Sequence, residues 1–402
     1  MSTGIRPDLR AMGDVVVTKR AGRPSGRYAP RSPAAKKIAD LLDLADIRIN
    51  GKRPWDVHVH DERLFERVLA QGSLAAGESY MDGWWDAEAM DELFTRIHRA
   101  ELHKRVGIAG VAWLALKGRI FNRQTTSLSR AVAQQHYDLG NDLYEAMLDR
   151  RMQYTCAYWK NAGTLDQAQE NKLHLICRKL GLKAGMTVLE LGGGFGGLAH
   201  FAATEYGCHI VSYNISCEQV AYARELCRGL PVRFEQKDYR EAASEPEQFD
   251  RIASIGLCEH VGYKNYRRFL ELAHDRLKPG GLFLLHTIGA NRSQTHTDPW
   301  IDRYIFPHGM LPSAAQLAKA MEGLWLVEDW HNFGPDYDPT LMAWWRNFDR
   351  AWPKLRDRYS ERFYRMWRYY LHVSAGGFRA RKMQLWQLVL SRGDIASYVP
   401  VR

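Results

Sequence analysis

The sequence predicts an α/β protein built on a largely parallel sheet, and three features carry that prediction. From about Ala131 onward, short apolar runs alternate with segments of helical spacing. One of those runs, Thr187–Leu191, meets an acidic residue and a string of glycines before a helix opens at Leu198. Repeated β–α units of this kind bury a parallel sheet on both faces.

The elements follow in order. A helix is expected over 165–181, then the strand Thr187–Leu191 and a helix from Leu198. The strand His209–Tyr213 leads to a helix from Cys217. The strands Val232–Gln236 and Phe249–Ser254 precede a helix from Tyr266 and the strand Gly281–His286. Ligands of such sheets bind at the carboxyl ends of the strands. That rule collects Glu190–Gly196, Asn214, Asp238, Glu259 and His286 at one rim.

Upstream, AAKKIADLLDLA (34–45) has helical spacing, and residues 47–60 read as two short strands joined at Asn50-Gly51. A helix follows, with Asp61 as its N-cap. Residues 101–121 form an apolar stretch with basic residues at both ends. It suits a lipid-touching helix, although such a helix is more often simply core. The first 35 residues are basic and rich in Gly, Pro and Ser, which fits a flexible tail, either a solubilising leader or a membrane-surface tether.

Composition bounds the function. The chain has 402 residues, 46% of them hydrophobic, enough for two domains. No apolar run approaches the ~20 residues of a spanning helix. The first residues lack an apolar signal region, so secretion is not expected. Six cysteines form neither a CxxC pair nor a zinc spacing. Reduced thiols in the cytoplasm, and no metal, are expected. A net charge of +10 favours an anionic partner, and charge alone does not choose nucleic acid or lipid.

The glycine loop runs Glu190-Leu191-Gly192-Gly193-Gly194-Phe195-Gly196. Its spacing differs from that of dinucleotide sites and resembles the first motif of S-adenosylmethionine-dependent methyltransferases. A backbone without Cβ atoms lets the amino-acid part of that cofactor approach. Asn214 stands where a ribose would be met, and Asp238-Tyr239 where an adenine would be. Each also has a structural reading, since Asn214 and Asp238 both suit helix caps. The tetrad of exocyclic-amine methylases is missing after the fourth strand, where SIGLCEHVG presents Glu259 and His260. An aromatic-rich region from Trp300 to Trp386 follows, within a chain of thirteen tryptophans. Aromatic faces can line an acyl channel and stabilise a cation, or simply build a core.

From about Ala39 onward the chain resembles the cyclopropane-fatty-acid synthases that act on membrane phospholipids. The resemblance is carried by QGSLAAGESYMDGWW (71–85), HYDLGNDLY (136–144), MQYTCAYW (152–159), the glycine loop, EHVG (259–262), LLHTIG (284–289), DPWIDRYIFPHG (298–309), EDWHNFGPDYDPTLMAWW (328–345) and FRARKMQLWQ (378–387). It implies a Rossmann-like class I methyltransferase domain over 126–402, holding an acyl pocket. It also implies a small lipid-binding domain over 36–125, a homodimer, and peripheral attachment to the inner face of the membrane. Nucleic acid is not an implied partner.

The implied reaction adds the cofactor's methyl to a cis double bond. The carbocation then loses a proton to bound bicarbonate and closes to a cyclopropane. The resemblance assigns the bicarbonate site to Cys156, Glu259, His286, Ile288 and Tyr337. It assigns the cofactor to Tyr154, Thr155, Glu190, Gly192, Gly194, Gly196, Asn214, Gln219, Asp238 and Tyr239. Without it, Glu259 reads as a salt bridge at a helix start, His286 as a satisfied core histidine and Cys156 as a small buried hydrophobe.

The chain departs from the family pattern in places. Glu190, Gly193 and Phe195 stand where Asp, Cys and Trp are usual. Asn214, Cys258 and Ser374 replace Thr, Phe and Cys. Such changes bear on cofactor affinity. They are also compatible with a paralogue forming methylene- or methyl-branched chains, or with an impaired lipid-binding protein.

Overall fold

The computed structural model describes residues 28–105 and 140–402. Most of the basic tail, the apolar stretch from residue 106 onward, the expected 125/126 boundary and the start of HYDLGNDLY lie outside the described residues.

The chain divides into two compact units. One takes in the described N-terminal residues together with His296–Pro307 and Leu341–Lys382. Its helices include Pro33–Asp43, Arg63–Gln71, Ser73–Met81, Met90–Arg99 and Glu361–Arg379. The hairpin expected over 47–60 is reduced to a single bridge, Ile49 to Val57. The Asp56 carboxylate closes that loop instead, accepting from Arg48 N at 2.8 Å and Arg53 N at 3.0 Å. The next residues, β1 (His58–Val59), pair antiparallel with β2 (Trp85–Asp86). Asp61 accepts from Arg63 N as expected of a cap, although Glu62 is the formal cap residue. Many of the aromatics expected to serve either a channel or a core pack on one another. Phe363 stacks on Trp367 at 5.6 Å and Phe348 on Tyr364 at 5.7 Å. Trp300, Trp344 and Trp367 are fully buried.

The other unit holds the sheet. Its strands are β3 (Thr187–Leu191), β4 (His209–Tyr213), β5 (Val232–Glu235), β6 (Phe249–Ile255), β7 (Leu277–Ala290), β8 (Leu326–Asn332) and β9 (Met383–Ser391). They lie in the order β5-β4-β3-β6-β7-β9-β8. The first five are parallel, and β9 joins β7 and β8 antiparallel. β7 extends four residues beyond His286 because β9 continues its ladder to the Ala290–Met383 pair. β8 and β9 escape a β–α reading because the helices after β8 lead to β9, which runs antiparallel between β7 and β8 rather than continuing the parallel series.

Alternate residues of each strand enter opposite cores, as a strand buried on both faces requires. Leu189, Phe283, Leu285 and Leu388 pack with the helices Tyr266–Arg276 and Ala314–Met321. Val188, Leu282, Leu284 and Val389 pack with Leu165–Lys179, Gly197–Tyr206 and Cys217–Leu226. The parallel strands therefore end together, and the loops after β3, β4, β6 and β7 share one rim. No described helix is long and apolar enough to cross a membrane.

Candidate active site

The site begins at the end of β3. Glu190 is buried, and Ser212 Oγ donates to its Oε2 at 2.7 Å. Burial pushes the carboxyl up to about 7, opposed by the Ser212 hydrogen bond and the Lys172 charge. Gly192, Gly194 and Gly196 take φ values of 88°, 51° and 82°, a region that strongly favours glycine. The amides of Gly192 and Gly193 both donate to Tyr213 O, at 2.9 and 3.1 Å, which folds the loop onto β4.

Gly193 is glycine for a different reason. A Cβ there would stand 1.9 Å from Ser212 Oγ and 2.9 Å from Glu190 Oε2. The longer acid and its serine partner occupy the space that a side chain at 193 needs. Phe195 sits in a row of rings, 5.4 Å from Tyr144 and 5.5 Å from Tyr222, and Tyr144 meets Tyr154 at 5.3 Å.

Asn214 and Gln219 meet. Asn214 Nδ2 donates to Gln219 Oε1 and to Gly194 O, both at 2.9 Å, tying the β4 end to the glycine loop. Its Oδ1 accepts from Ser216 N, while Ser216 itself caps the helix Cys217–Leu226. Asp238 adopts the capping arrangement. It heads the short 3₁₀ helix Tyr239–Ser244 in a capping box with Glu241, and its Oδ2 pairs with Arg240 at 2.9 Å. Tyr239 packs edge-on against Phe269, and burial pushes its phenol up to about 12.

Thr155 lies against the turn after β6, where a Cβ on Gly256 would approach its Cγ2 at 2.8 Å. Cys156 is fully buried. Burial and the Asp336 charge hold its thiol well above the usual range, so it stays protonated. Thr340 secures this segment, accepting from Ala157 N at 3.2 Å and Trp159 Nε1 at 2.9 Å. Tyr337, buried at the start of the helix Tyr337–Leu355, is one turn before Thr340 and next to Asp336, whose Oδ2 accepts from Trp159 N.

Glu259 lies on the short helix Cys258–Val261. Its Oε1 accepts from Ile288 N at 2.7 Å, which joins two of the predicted residues directly. Its Oε2 is shielded from solvent and has no hydrogen-bond partner, and Glu259 forms no ion pair among the described residues. The salt-bridge reading therefore fails. Burial pushes the carboxyl up to about 7, opposed by the Ile288 amide and then by Thr287.

His286 is half satisfied. Its Nδ1 meets Gln387 Nε2 at 3.2 Å, and its buried Nε2 has no partner. With the Gln387 amide in this orientation, its Oε1 also buried without a partner, the nitrogen donates, Nδ1 accepts and the proton resides on Nε2. Burial first, then the Lys172 and Lys179 charges, hold the imidazole well below its ordinary value, so it is neutral. Phe333 packs on the ring at 5.9 Å.

Four contributors were not apparent from sequence reasoning: Lys172, Ser212, Thr340 and Gln387. Lys172 was detectable. In the helix Leu165–Lys179 it occupies the buried stripe Leu165, Ala168, Gln169, Lys172, Leu173, Ile176, where a lysine is out of place. The other three act across long sequence separations and left no local signal.

The residues present fit the expected groups. The glycine loop offers bare backbone at a strand end, as the amino-acid part of S-adenosylmethionine needs. Glu259 Oε2 and His286 Nε2 are buried polar atoms without a hydrogen-bond partner, the kind of atoms that a small oxyanion such as bicarbonate would need.

Comparison with known proteins gives the family. The family model for mycolic acid cyclopropane synthetase matches residues 124–388. The cyclopropane-fatty-acyl-phospholipid synthase of Escherichia coli strain K12 is 51% identical over 355 residues, covering 88% of this chain and 92% of that protein. The cyclopropane synthase MmaA2 from Mycobacterium tuberculosis superposes with a TM-score of 0.61 at 28% identity, over 67% of this chain and 99% of that one. The mycolic acid cyclopropane synthase CmaA1, complexed with SAH and CTAB, gives 0.59 at 29% identity, over 65% and 97%. With its Rossmann-like class I methyltransferase fold, the chain belongs to the cyclopropane synthase family of S-adenosylmethionine-dependent enzymes.

Proposed function

We propose that this enzyme transfers a methylene carbon from S-adenosylmethionine to the cis double bond of unsaturated acyl chains in membrane phospholipids. The product is a cyclopropane ring. The observation that carries the reading is the pair of buried atoms without partners, Glu259 Oε2 and His286 Nε2. The 51% identical relative named for this activity supports it. When bound, S-adenosylmethionine supplies the electrophilic methyl and bicarbonate the acceptor for the proton released on ring closure.

The chain's own residues prepare the site. An alkene is a weak nucleophile, so water must be kept from the developing cation, and the burial of His286, Cys156 and Tyr337 serves that end. Gln387 fixes the tautomer that presents Nε2–H. Glu259, titrating near neutrality, can hold or release a proton at Oε2. The Ile288 amide anchors the other oxygen, so Oε2 cannot swing away. Glu259 and an adjacent oxyanion share protons, so they titrate together.

The same reading takes residues 36–125 as a lipid-binding domain, the assembly as a homodimer and the contact as a peripheral one on an anionic membrane. The net charge of +10 is in keeping with it. The test is proton NMR of the lipids after incubating protein with S-adenosylmethionine and cis-unsaturated phospholipid vesicles, with and without bicarbonate. High-field cyclopropane protons that need bicarbonate are expected. Vinylic-methylene or methyl-branch signals would move the enzyme to the paralogue class, and unchanged lipid would leave an impaired binding protein.

A further inference from the structure

Residues 152–159 carry three of the predicted site residues, Tyr154, Thr155 and Cys156, yet belong to neither a helix nor a strand. Met152, Cys156, Ala157 and Tyr158 are buried. Buried backbone without a ladder must find its hydrogen bonds elsewhere, and here side chains supply several. Asp149 Oδ1 accepts from Gln153 N at 2.9 Å, and Asp336 Oδ2 accepts from Trp159 N at 2.8 Å.

The middle of the segment is held from the helix Leu165–Lys179. Gln169 Nε2 donates to Gln153 O at 3.2 Å and to Thr155 O at 2.9 Å, so one amide group bridges the carbonyls of the residues on either side of Tyr154. Lys172 Nζ donates to the side chains of the same two residues, Gln153 Oε1 at 2.7 Å and Thr155 Oγ1 at 2.8 Å. Gln169 and Lys172 share one face of their helix, three residues apart, in a buried stripe with Leu165, Ala168, Leu173 and Ile176. Both side chains are fully buried. A carbonyl only accepts, so the Gln169 amide has to present its nitrogen, and its Oε1 is left buried without a partner. An orphaned acceptor is unfavourable, and a leucine would suit the stripe better. The two donors are what the glutamine adds.

The ring of Tyr154 turns to Tyr144, at 5.3 Å, and Tyr144 meets Phe195 of the glycine loop at 5.4 Å. Ring packing therefore connects the held segment to the loop. The geometry points to Gln169 and Lys172 as positioning residues that fix the backbone of 153–155, and with it the ring of Tyr154, for the cofactor. This rests on the reading that Tyr154 and Thr155 meet S-adenosylmethionine. Four hydrogen bonds to Gln153 and Thr155 pin the chain on both sides of Tyr154, so its ring is aimed before a ligand arrives.

The test places a single fluorotyrosine at position 154 of the full chain and follows it by ¹⁹F NMR, beside calorimetric binding of S-adenosylhomocysteine. The parent should give one sharp signal that shifts when S-adenosylhomocysteine is added. In Gln169→Leu and in Lys172→Met the signal should broaden or split, and binding should weaken about tenfold, a usual scale for losing a group that orients a ligand-bearing residue. Lys172→Gln keeps a donor and drops the charge, so it should bind more tightly than Lys172→Met. Equal loss in both would make the lysine a charge partner of Asp149, the charged group that bears on it most, and overturn its positioning role. Parent-like affinity in Gln169→Leu and Lys172→Met overturns the proposal, and so does weakened binding with an unchanged sharp signal, the mark of a purely structural pair. If Lys172→Met does not fold, Gln169→Leu decides, since leucine extends the apolar stripe. A parent signal that S-adenosylhomocysteine does not move would instead overturn the cofactor role of Tyr154, a separate failure.

Discussion

Ser212 Oγ occupies the place where a Cβ on Gly193 would stand, 1.9 Å from it. The hydroxyl is there because it donates to Glu190 Oε2. The family's usual loop has a shorter acid and a cysteine at these positions. Here the longer acid, the serine and the bare glycine form one packing solution.

Gly193→Ala should therefore cost about 1–3 kcal/mol of stability, as overpacking does. Ser212→Ala alone should also destabilise, since it strips a buried carboxyl of its donor. The two together should cost less than their sum by about 1 kcal/mol, because removing the hydroxyl frees the space. Urea unfolding of the four proteins measures this coupling, and strict additivity would contradict the packing argument.

Glu259→Gln should abolish most ring formation and at the same time flatten the pH dependence of stability. The folded pKa is raised, from the ordinary 4.5 to about 7. A raised folded pKa favours the fold at low pH, and that advantage is lost as pH climbs from 4.5 through 7. The shift amounts to about 3 kcal/mol between those limits, and Gln carries none of it. Unfolding in bicarbonate-free buffer should show the parent losing ground to the variant up to pH 7 and a constant difference above. Parallel stability curves would show that Glu259 does not titrate in this window.

Gln387→Leu tests the tautomer. Nδ1 would lose its donor, and the proton would no longer be directed to Nε2. Turnover should fall by about 10²-fold, the lower end for a misdirected acid–base group. S-adenosylhomocysteine affinity should stay within about threefold, because the β3 and β4 loops do not depend on Gln387. Unimpaired turnover would remove His286 Nε2 from the reaction.

Thiol chemistry should single out Cys217. It is the one exposed cysteine, and the other five are buried. A bulky disulfide reagent should label one site in native protein at pH 8 and all after unfolding. Labelling of Cys156 in the native state would contradict its burial.

Much of this protein was legible along the chain. The β–α alternation, the glycine run after Leu191 and the placing of Glu259 and His286 near strand ends are local patterns, set by side-chain periodicity and backbone freedom. They place the rim of the sheet without any knowledge of packing. The resemblance then named residues whose chemistry no local pattern reveals.

Only the tertiary structure decided how those residues are charged and aimed. Ser212 beside Glu190, Gln387 beside His286 and Ile288 beside Glu259 are contacts across 22, 101 and 29 residues. So is the pairing of β9 with β7, which lengthens the strand bearing His286. Protonation depends on burial and neighbouring charge, and both are properties of the folded interior rather than of any stretch of sequence. That is why the buried stripe of its helix can flag Lys172 as out of place, while only the fold shows its Nζ held by Gln153 and Thr155.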